Sequence, residues 1–288
     1  MKRGVGIYLR LGRVSNLPTV WTNVLAGALL AGAPVAPATL VPLALALSAF
    51  YVGGMYLNDG FDRHIDARER PERPIPAGLI SAARVFGIGF GLLALGLAGV
   101  AAVSPRPAPI VAGVALGATI VLYDAWHKAN PLSPVIMGLC RVLVYLTAAL
   151  AATGRLERPV LLGAACLLAY LIGLTYVAKH ENKPLLARMW PLAGLAAPLV
   201  YALPALSLRQ PVVTLAAAAL LAWVVRAIVL LRSKAPRRIP RAVTSMIAGI
   251  SLVDALLLAH AGASVTVVAL AAAGWLLTLL FQRYVPGT

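Results

Sequence analysis

Negative charge is what this 288-residue chain has least of: nine Asp and Glu stand against 25 Lys and Arg, and 12% of positions carry any charge. Cysteine is scarce too. Cys140 and Cys166 are the two in the sequence, and both lie inside apolar segments. That placement excludes a disulfide framework or thiolate metal site and leaves them as small core residues. No Ser or Cys stands in a constellation that would activate it as a covalent nucleophile. Polar surface is missing as well, because 61% of the residues are hydrophobic. The apolar residues come in runs of about 20, the length that crosses a hydrocarbon layer about 30 Å thick. A soluble globular domain is thereby excluded. What remains is an all-α, polytopic transmembrane helical bundle.

Ten candidate spans are read at about 14–33, 38–57, 81–103, 108–126, 132–153, 159–178, 189–208, 211–231, 242–260 and 263–283. Gly262 is the sole punctuation between the last two, so a single broken helix there would give nine. Pro198 and Pro204 predict a kink in the seventh span. No soluble appendage interrupts the series, so residues 1–288 form one transmembrane domain. Its longer connections fall at about 58–80, 179–188 and 232–241. No cleavable signal peptide is expected: the first span is too long for an h-region and runs on into others.

The net charge of +16 follows these connections. Arg63, Arg68, Arg70 and Arg73 fall in the first, Lys179, Lys183 and Arg188 in the second, and Arg232, Lys234, Arg237, Arg238 and Arg241 in the third. Lys2, Arg3, Arg10 and Arg13 precede the first span, and Lys128 follows the fourth. The opposite face has Arg106, Arg155, Arg158 and Arg209. This asymmetry is the positive-inside pattern. It predicts an integral protein of the cell membrane with its N-terminus and these loops cytoplasmic. The basicity is topological, and nucleic acid is not an expected partner.

Five of the nine acids crowd between Asp59 and Glu72. Asn58, Asp62 and Asp66 are spaced i, i+4, i+8, so a helix continued from the second span stacks them on one face, with Asp59 alongside. Stacked carboxylates repel unless a cation lies between them. Oxygen ligands of this kind suit Mg²⁺, which accepts phosphate oxygens as further ligands. Arg70 and Arg73, set among Pro71, Pro74 and Pro76, offer stiffly presented guanidinium forks to the phosphates. Arg141 lies inside the fifth span, where an arginine costs about 2.5–3.5 kcal/mol, so it should face the bundle interior or a wet cavity. Diphosphate binding, or pairing with Asp62, Asp66 or Asp124, would offset that cost. Asp254, embedded toward the other side, has no evident role.

Asn58, Asp59, Asp62 and Asp66, followed by Arg70, Arg73, Pro74, Ile75 and Gly78, resemble the first signature of the UbiA superfamily of membrane prenyltransferases, N-D-x-x-D-x-x-x-D then R-x-x-R-P-[IL]-x-x-G. The resemblance implies a bundle, usually of nine spans, that binds a prenyl diphosphate with Mg²⁺ and transfers the prenyl group to a small acceptor. Asn58, Asp62 and Asp66 would form the first metal set. Tyr123 and Lys128 resemble the family's Y-x-x-x-K, with one extra residue between them, and Lys128 would bind the departing diphosphate. Arg13, Asn16 and Asn23 resemble polar residues of the family's first span.

The second acidic element, D-x-x-x-D after the sixth span, is replaced here by Lys179-His180-Glu181-Asn182-Lys183. Glu181 with Asn182 would hold a second Mg²⁺, or Lys179 and Lys183 would put their charge directly on the diphosphate. Asp124 would complement Glu181 or pair with Lys128 at i+4. The departure points to a divergent branch rather than a ubiquinone or menaquinone enzyme. The acceptor is open among aromatic acids, quinone precursors, porphyrins, sugars and glycerol phosphates. A CDP-alcohol phosphotransferase fits poorly, since Tyr56 and Arg63 break its motif. A lipid-intermediate transporter or binding scaffold is the alternative outside enzymes, favoured by the incomplete second motif and by the lack of a chain of intramembrane charges. Against it, the ionisable residues gather at one mouth rather than at the midplane.

Overall fold

The computed structural model describes residues 3–128, 130–179, 190–233 and 238–287, and among them every regular element is helical. Helix α1 (Arg3–Leu11) is amphipathic and leads through a 3₁₀ turn (Val14–Asn16) into α2 (Leu17–Leu30). There follow α3 (Pro37–Glu69), α4 (Ala82–Val103), α5 (Pro107–Trp126), α6 (Ser133–Thr153) and α7 (Arg158–Lys179). A 3₁₀ stretch (Trp190–Ala196), the short α8 (Ala197–Ala202) and another 3₁₀ turn (Leu203–Ala205) precede α9 (Pro211–Arg232), α10 (Arg238–His260) and α11 (Val265–Gln282).

Eight of these helices are long and apolar enough to cross a membrane. The expected first span is shorter than that, at 14 residues in α2. The expected seventh is broken into 3₁₀ and α pieces around Pro191, Pro198 and Pro204, each of which removes a backbone donor. The final pair are two helices: Gly262 sits at φ +81°, a left-handed conformation that ends α10 without the Cβ penalty any other residue would carry. The connection expected at 58–80 is helical as far as Glu69, so the true loop covers 70–81. At 33 residues α3 is about 50 Å long, which exceeds the hydrocarbon layer and carries its last turns past the membrane surface.

Helix α2 joins two groups. On one side it packs against α3 and α6, which with α4 and α5 enclose a core containing Leu43, Leu47, Phe50, Leu57 and Leu116. On the other it packs against α10 and α11, which with α7 and α9 enclose Leu167, Tyr170, Leu220, Met246 and Leu256. Helix α10 is the inner one, with 89% of its apolar window buried against 28% for α9 and α11. Close approach at the centre depends on Gly27. A Cβ there would come within 2.6 Å of the Tyr145 carbonyl oxygen and 2.9 Å of its Cα, both backbone atoms that cannot swing aside. Gly27→Ala should therefore force α2 and α6 apart and cost about 1–3 kcal/mol, the usual penalty of overpacking. Thermal unfolding in detergent would read this as a lowered midpoint, and an unchanged midpoint would refute the tight crossing.

Candidate active site

The end of α3 supplies four polar side chains, and all four are buried: Asn58, Asp59, Asp62 and Asp66. They point in two directions. Asn58 and Asp62 face the end of α5. There the Asn58 amide donates to Asp124 Oδ1 at 3.1 Å, and Asp62 lies 3.2 Å from Lys128 Nζ and 3.6 Å from His127 Nε2. Asp59 and Asp66 face the loop that follows α3, and Arg73 Nη1 bridges them at 3.0 and 2.9 Å. Arg13 approaches from the other side, 3.3 Å from Asp59 and 3.4 Å from Asn58 Oδ1. It is the one non-glycine residue at positive φ, +43°, among those described. Burial alone would weaken its guanidinium charge, and Asp59, Tyr51, Tyr123 and Asp124 around it together more than offset that.

The loop holds Arg73 in place by packing. Ile80 joins Leu11, Tyr56 and Val85 in a small core, with Ile75 against it. Backbone bonds from Ala77 to Arg73 and from Gly78 to Ile75 close the turns. Arg70 donates its backbone N–H to Asp66 and ends the helix. Arg13, Asn16, Arg70 and Arg73 thus form the mouth of a chamber whose walls include Tyr51, Tyr123 and Arg141. Its empty space is about 820 Å³, part of it open to solvent. A second, mostly apolar space of about 480 Å³ adjoins it between α3, α5 and α6, lined by Phe50, Gly54, Leu116, Ile120 and Val144. Tyr51, Tyr123 and Arg141 border both.

Below the mouth runs a buried polar chain that links α6, α2 and α10. Arg141 donates to Asn23 Oδ1 and to Thr19 Oγ1, each at 3.0 Å, and lies over the Tyr51 ring. Asn23 donates at 2.8 Å to Asp254, which also accepts from the Tyr145 hydroxyl. Asp254 is fully buried. It reaches Arg141 at one remove, through Asn23. The set contains no direct ion pair among the described residues, since Arg141 and Asp254 meet only through the neutral Asn23.

A charged mouth set above an apolar slot suits a substrate with a polar head and a long apolar tail. The model of the UbiA prenyltransferase family matches residues 19–250. The chain belongs to that family. A digeranylgeranylglyceryl phosphate synthase of Methanoregula boonei is 40% identical over 82 residues, which cover 28% of this chain and 28% of that relative. The matched stretch is thus under a third of the relative's own length. A solved structure described as that of a digeranylgeranylglyceryl phosphate synthase in membranes superposes with a TM-score of 0.60 at 19% identity, covering 94% of this chain and 99% of the other. A UbiA homologue from Archaeoglobus fulgidus, bound to GPP and Mg²⁺, gives 0.58 at 14% identity over 87% of this chain and 99% of that one. These likenesses establish the fold.

Several UbiA-like expectations meet this geometry differently. Asp124 does not pair with Lys128, because α5 ends at Trp126 and the helical i+4 relation lapses; Lys128 turns to Asp62 instead. Lys179 does not line the chamber. Its Nζ donates to the Asn130 carbonyl at 2.6 Å and to Ser133 Oγ at 3.0 Å, bracing the start of α6. Glu181 and Lys183, like His180 and Asn182, lie outside the described residues. Among those described, no three acidic, imidazole or thiol groups converge on one point as metal ligands; Arg73 stands between Asp59 and Asp66, Lys128 is on Asp62 and Arg13 is on Asp59. The donor chemistry nonetheless fits Mg²⁺: Asp124 Oδ2 is buried without a hydrogen-bond partner, next to the Asn58 amide. His127 was not foreseen. Its signal was its place at i+4 from Tyr123, against whose ring it stacks at 4.9 Å.

Proposed function

We propose that this protein transfers a prenyl group from a prenyl diphosphate to a small acceptor, with the diphosphate held at the mouth and the prenyl chain in the apolar slot. The observation that carries this is a chamber lined by Arg13, Arg70 and Arg73, two of them paired with the buried acids of α3, that shares Tyr51, Tyr123 and Arg141 with an adjoining apolar cleft. The distribution of basic residues supports a cytoplasmic position for the mouth and the N-terminus, with residues 1–288 working as one transmembrane unit.

Asn58, Asp59, Asp62 and Asp66 would hold Mg²⁺, with Asp124 as a further ligand. When bound, the cation supplies positive charge against that building on the leaving diphosphate. Arg73, Lys128 and Arg13 would exchange carboxylate for phosphate oxygens and, with Arg70 of the chamber lining, hold the leaving group in charge-assisted bonds. The bond between the prenyl C1 and the diphosphate oxygen breaks with its electron pair leaving on the diphosphate. An acceptor oxygen supplies the new pair, and its proton passes to the departing diphosphate. Tyr51 and Tyr123 flank the junction, where their ring faces can shield the allylic cation, and the slot keeps water from it. The relative's name points to a glyceryl phosphate as acceptor.

Purified protein incubated with labelled geranylgeranyl diphosphate and a singly prenylated glyceryl phosphate should release diphosphate and form a doubly prenylated product. Chelation with EDTA should stop both, and added Mg²⁺ should restore them. Diphosphate binding without release under any of these conditions would refute prenyl transfer.

A further inference from the structure

We infer that Arg141 is a second anion site, separate from the diphosphate mouth, and that it receives an anionic oxygen group of the acceptor and so sets acceptor specificity. This rests on the prenyl-transfer reading and adds the residue that recognises the second substrate's anionic group. Arg141 lies eight residues into α6, about 12 Å from that helix's start, over the ring of Tyr51. Tyr51 lies seven residues before Asn58 in α3, about 10 Å or two turns deeper than the acid layer. An anion gripped by Arg73, Arg70 and Lys128 therefore sits well above it.

The side chain is 6% exposed, yet it borders both the chamber and the apolar slot. Guanidinium carries five N–H donors in a planar fork. Thr19 and Asn23 engage one on each Nη and fix the plane of the group, and no carboxylate touches it among the described residues. Asp254 compensates its charge only through Asn23 and takes none of the remaining donors. A charged arginine held at this depth by neutral partners, beside a cavity, is built to meet an oxyanion arriving through that cavity. Phosphate and carboxylate share this chemistry. The donor's own phosphates are already accommodated at the mouth, so the second anion belongs to the second substrate. Its nucleophilic oxygen would then lie between Arg141 and the acid layer.

The test compares two acceptors, a glyceryl phosphate with one geranylgeranyl ether and the same compound without phosphate, at saturating prenyl diphosphate and Mg²⁺. The wild-type protein should prefer the phosphorylated acceptor in kcat/KM by on the order of 100-fold, the loss that follows when a buried charge has no partner. Arg141→Met should bring that ratio close to one while leaving KM for the prenyl diphosphate unchanged, and Arg141→Lys should retain part of the preference. A structural role would lower both acceptors alike and keep the ratio, which would overturn the inference. A raised KM for the diphosphate with the ratio intact would overturn it too and assign Arg141 to the donor. If Arg141→Met does not accumulate, Arg141→Gln, which can still bond Thr19 or Asn23, takes the same measurement. Wild-type turnover with no preference sinks this inference alone, whereas no turnover by wild type sinks the prenyl-transfer reading beneath it.

Discussion

Asp62→Ala should reduce prenyl transfer by about 100- to 1,000-fold, the loss typical when one preorganised electrostatic group is removed from a reacting centre. Asp62 is 5% exposed and touches the Lys128 ammonium and the His127 imidazole, both from beyond the end of α5. Its removal takes away a proposed cation ligand and frees Lys128 from its ion-pair partner. Asp62→Asn separates the two effects, since the amide keeps the shape and loses the charge. If the charge is what matters, the asparagine variant should fall nearly as far as the alanine one. If Asp62 only anchors Lys128, pairing Asp62→Ala with Lys128→Met should do no further harm beyond Lys128→Met alone, and Mg²⁺ dependence should persist. Glu157→Gln is the control: this carboxylate is exposed, at the start of α7 and far along the chain from the mouth. Diphosphate release from geranylgeranyl diphosphate reads all of these. An Asp62→Ala protein that releases diphosphate at the wild-type rate would remove the acid cluster from the reaction.

The acid cluster was legible because its logic is local. Asn58, Asp62 and Asp66 repeat at helical spacing behind a long apolar run, and that spacing already says that α3 continues past the membrane. Pro37, Pro107, Pro134 and Pro211 likewise mark helix starts at N1 or N2, where the missing N–H is harmless. Pairing across the bundle was not legible. Arg141 meets Asn23 over 118 positions, and Asn23 meets Asp254 over 231, so no window of the sequence holds both partners. The same is true of Arg73. Its neighbours Pro71 and Pro74 suggested a free fork for phosphate, but the placement of Ile75 and Ile80 against Leu11 and Tyr56 turns it onto Asp59 and Asp66. Lys128 shows the opposite failure. Local spacing offered Asp124 as one partner, and the helix ended two residues too early for it.

Asp254→Ala should produce the largest loss of stability, about 3–5 kcal/mol, the penalty for breaking a buried ionic arrangement by removing one member. Three groups lose by it. Asn23 and Tyr145 each lose their acceptor inside a helix bundle where no water competes to replace it. Arg141 loses the only carboxylate that reaches it through Asn23. Tyr145→Phe deletes one donor and leaves the carboxylate with Asn23, so it should cost only about 1 kcal/mol. Arg141 and Asp254 do not touch, so coupling between them tests whether Asn23 transmits charge compensation. Arg141→Met combined with Asp254→Ala should be less destabilised than the sum of the two single changes, by roughly 1 kcal/mol or more. Strict additivity in thermal unfolding would mean that the two charges are independent, and Asp254 would then be a tether for Tyr145 alone. If they are coupled, the double variant would be better folded than Asp254→Ala and still lack the guanidinium. It should therefore regain stability without regaining the preference for a phosphorylated acceptor, which separates the part of this network that holds the bundle from the part that reads the substrate.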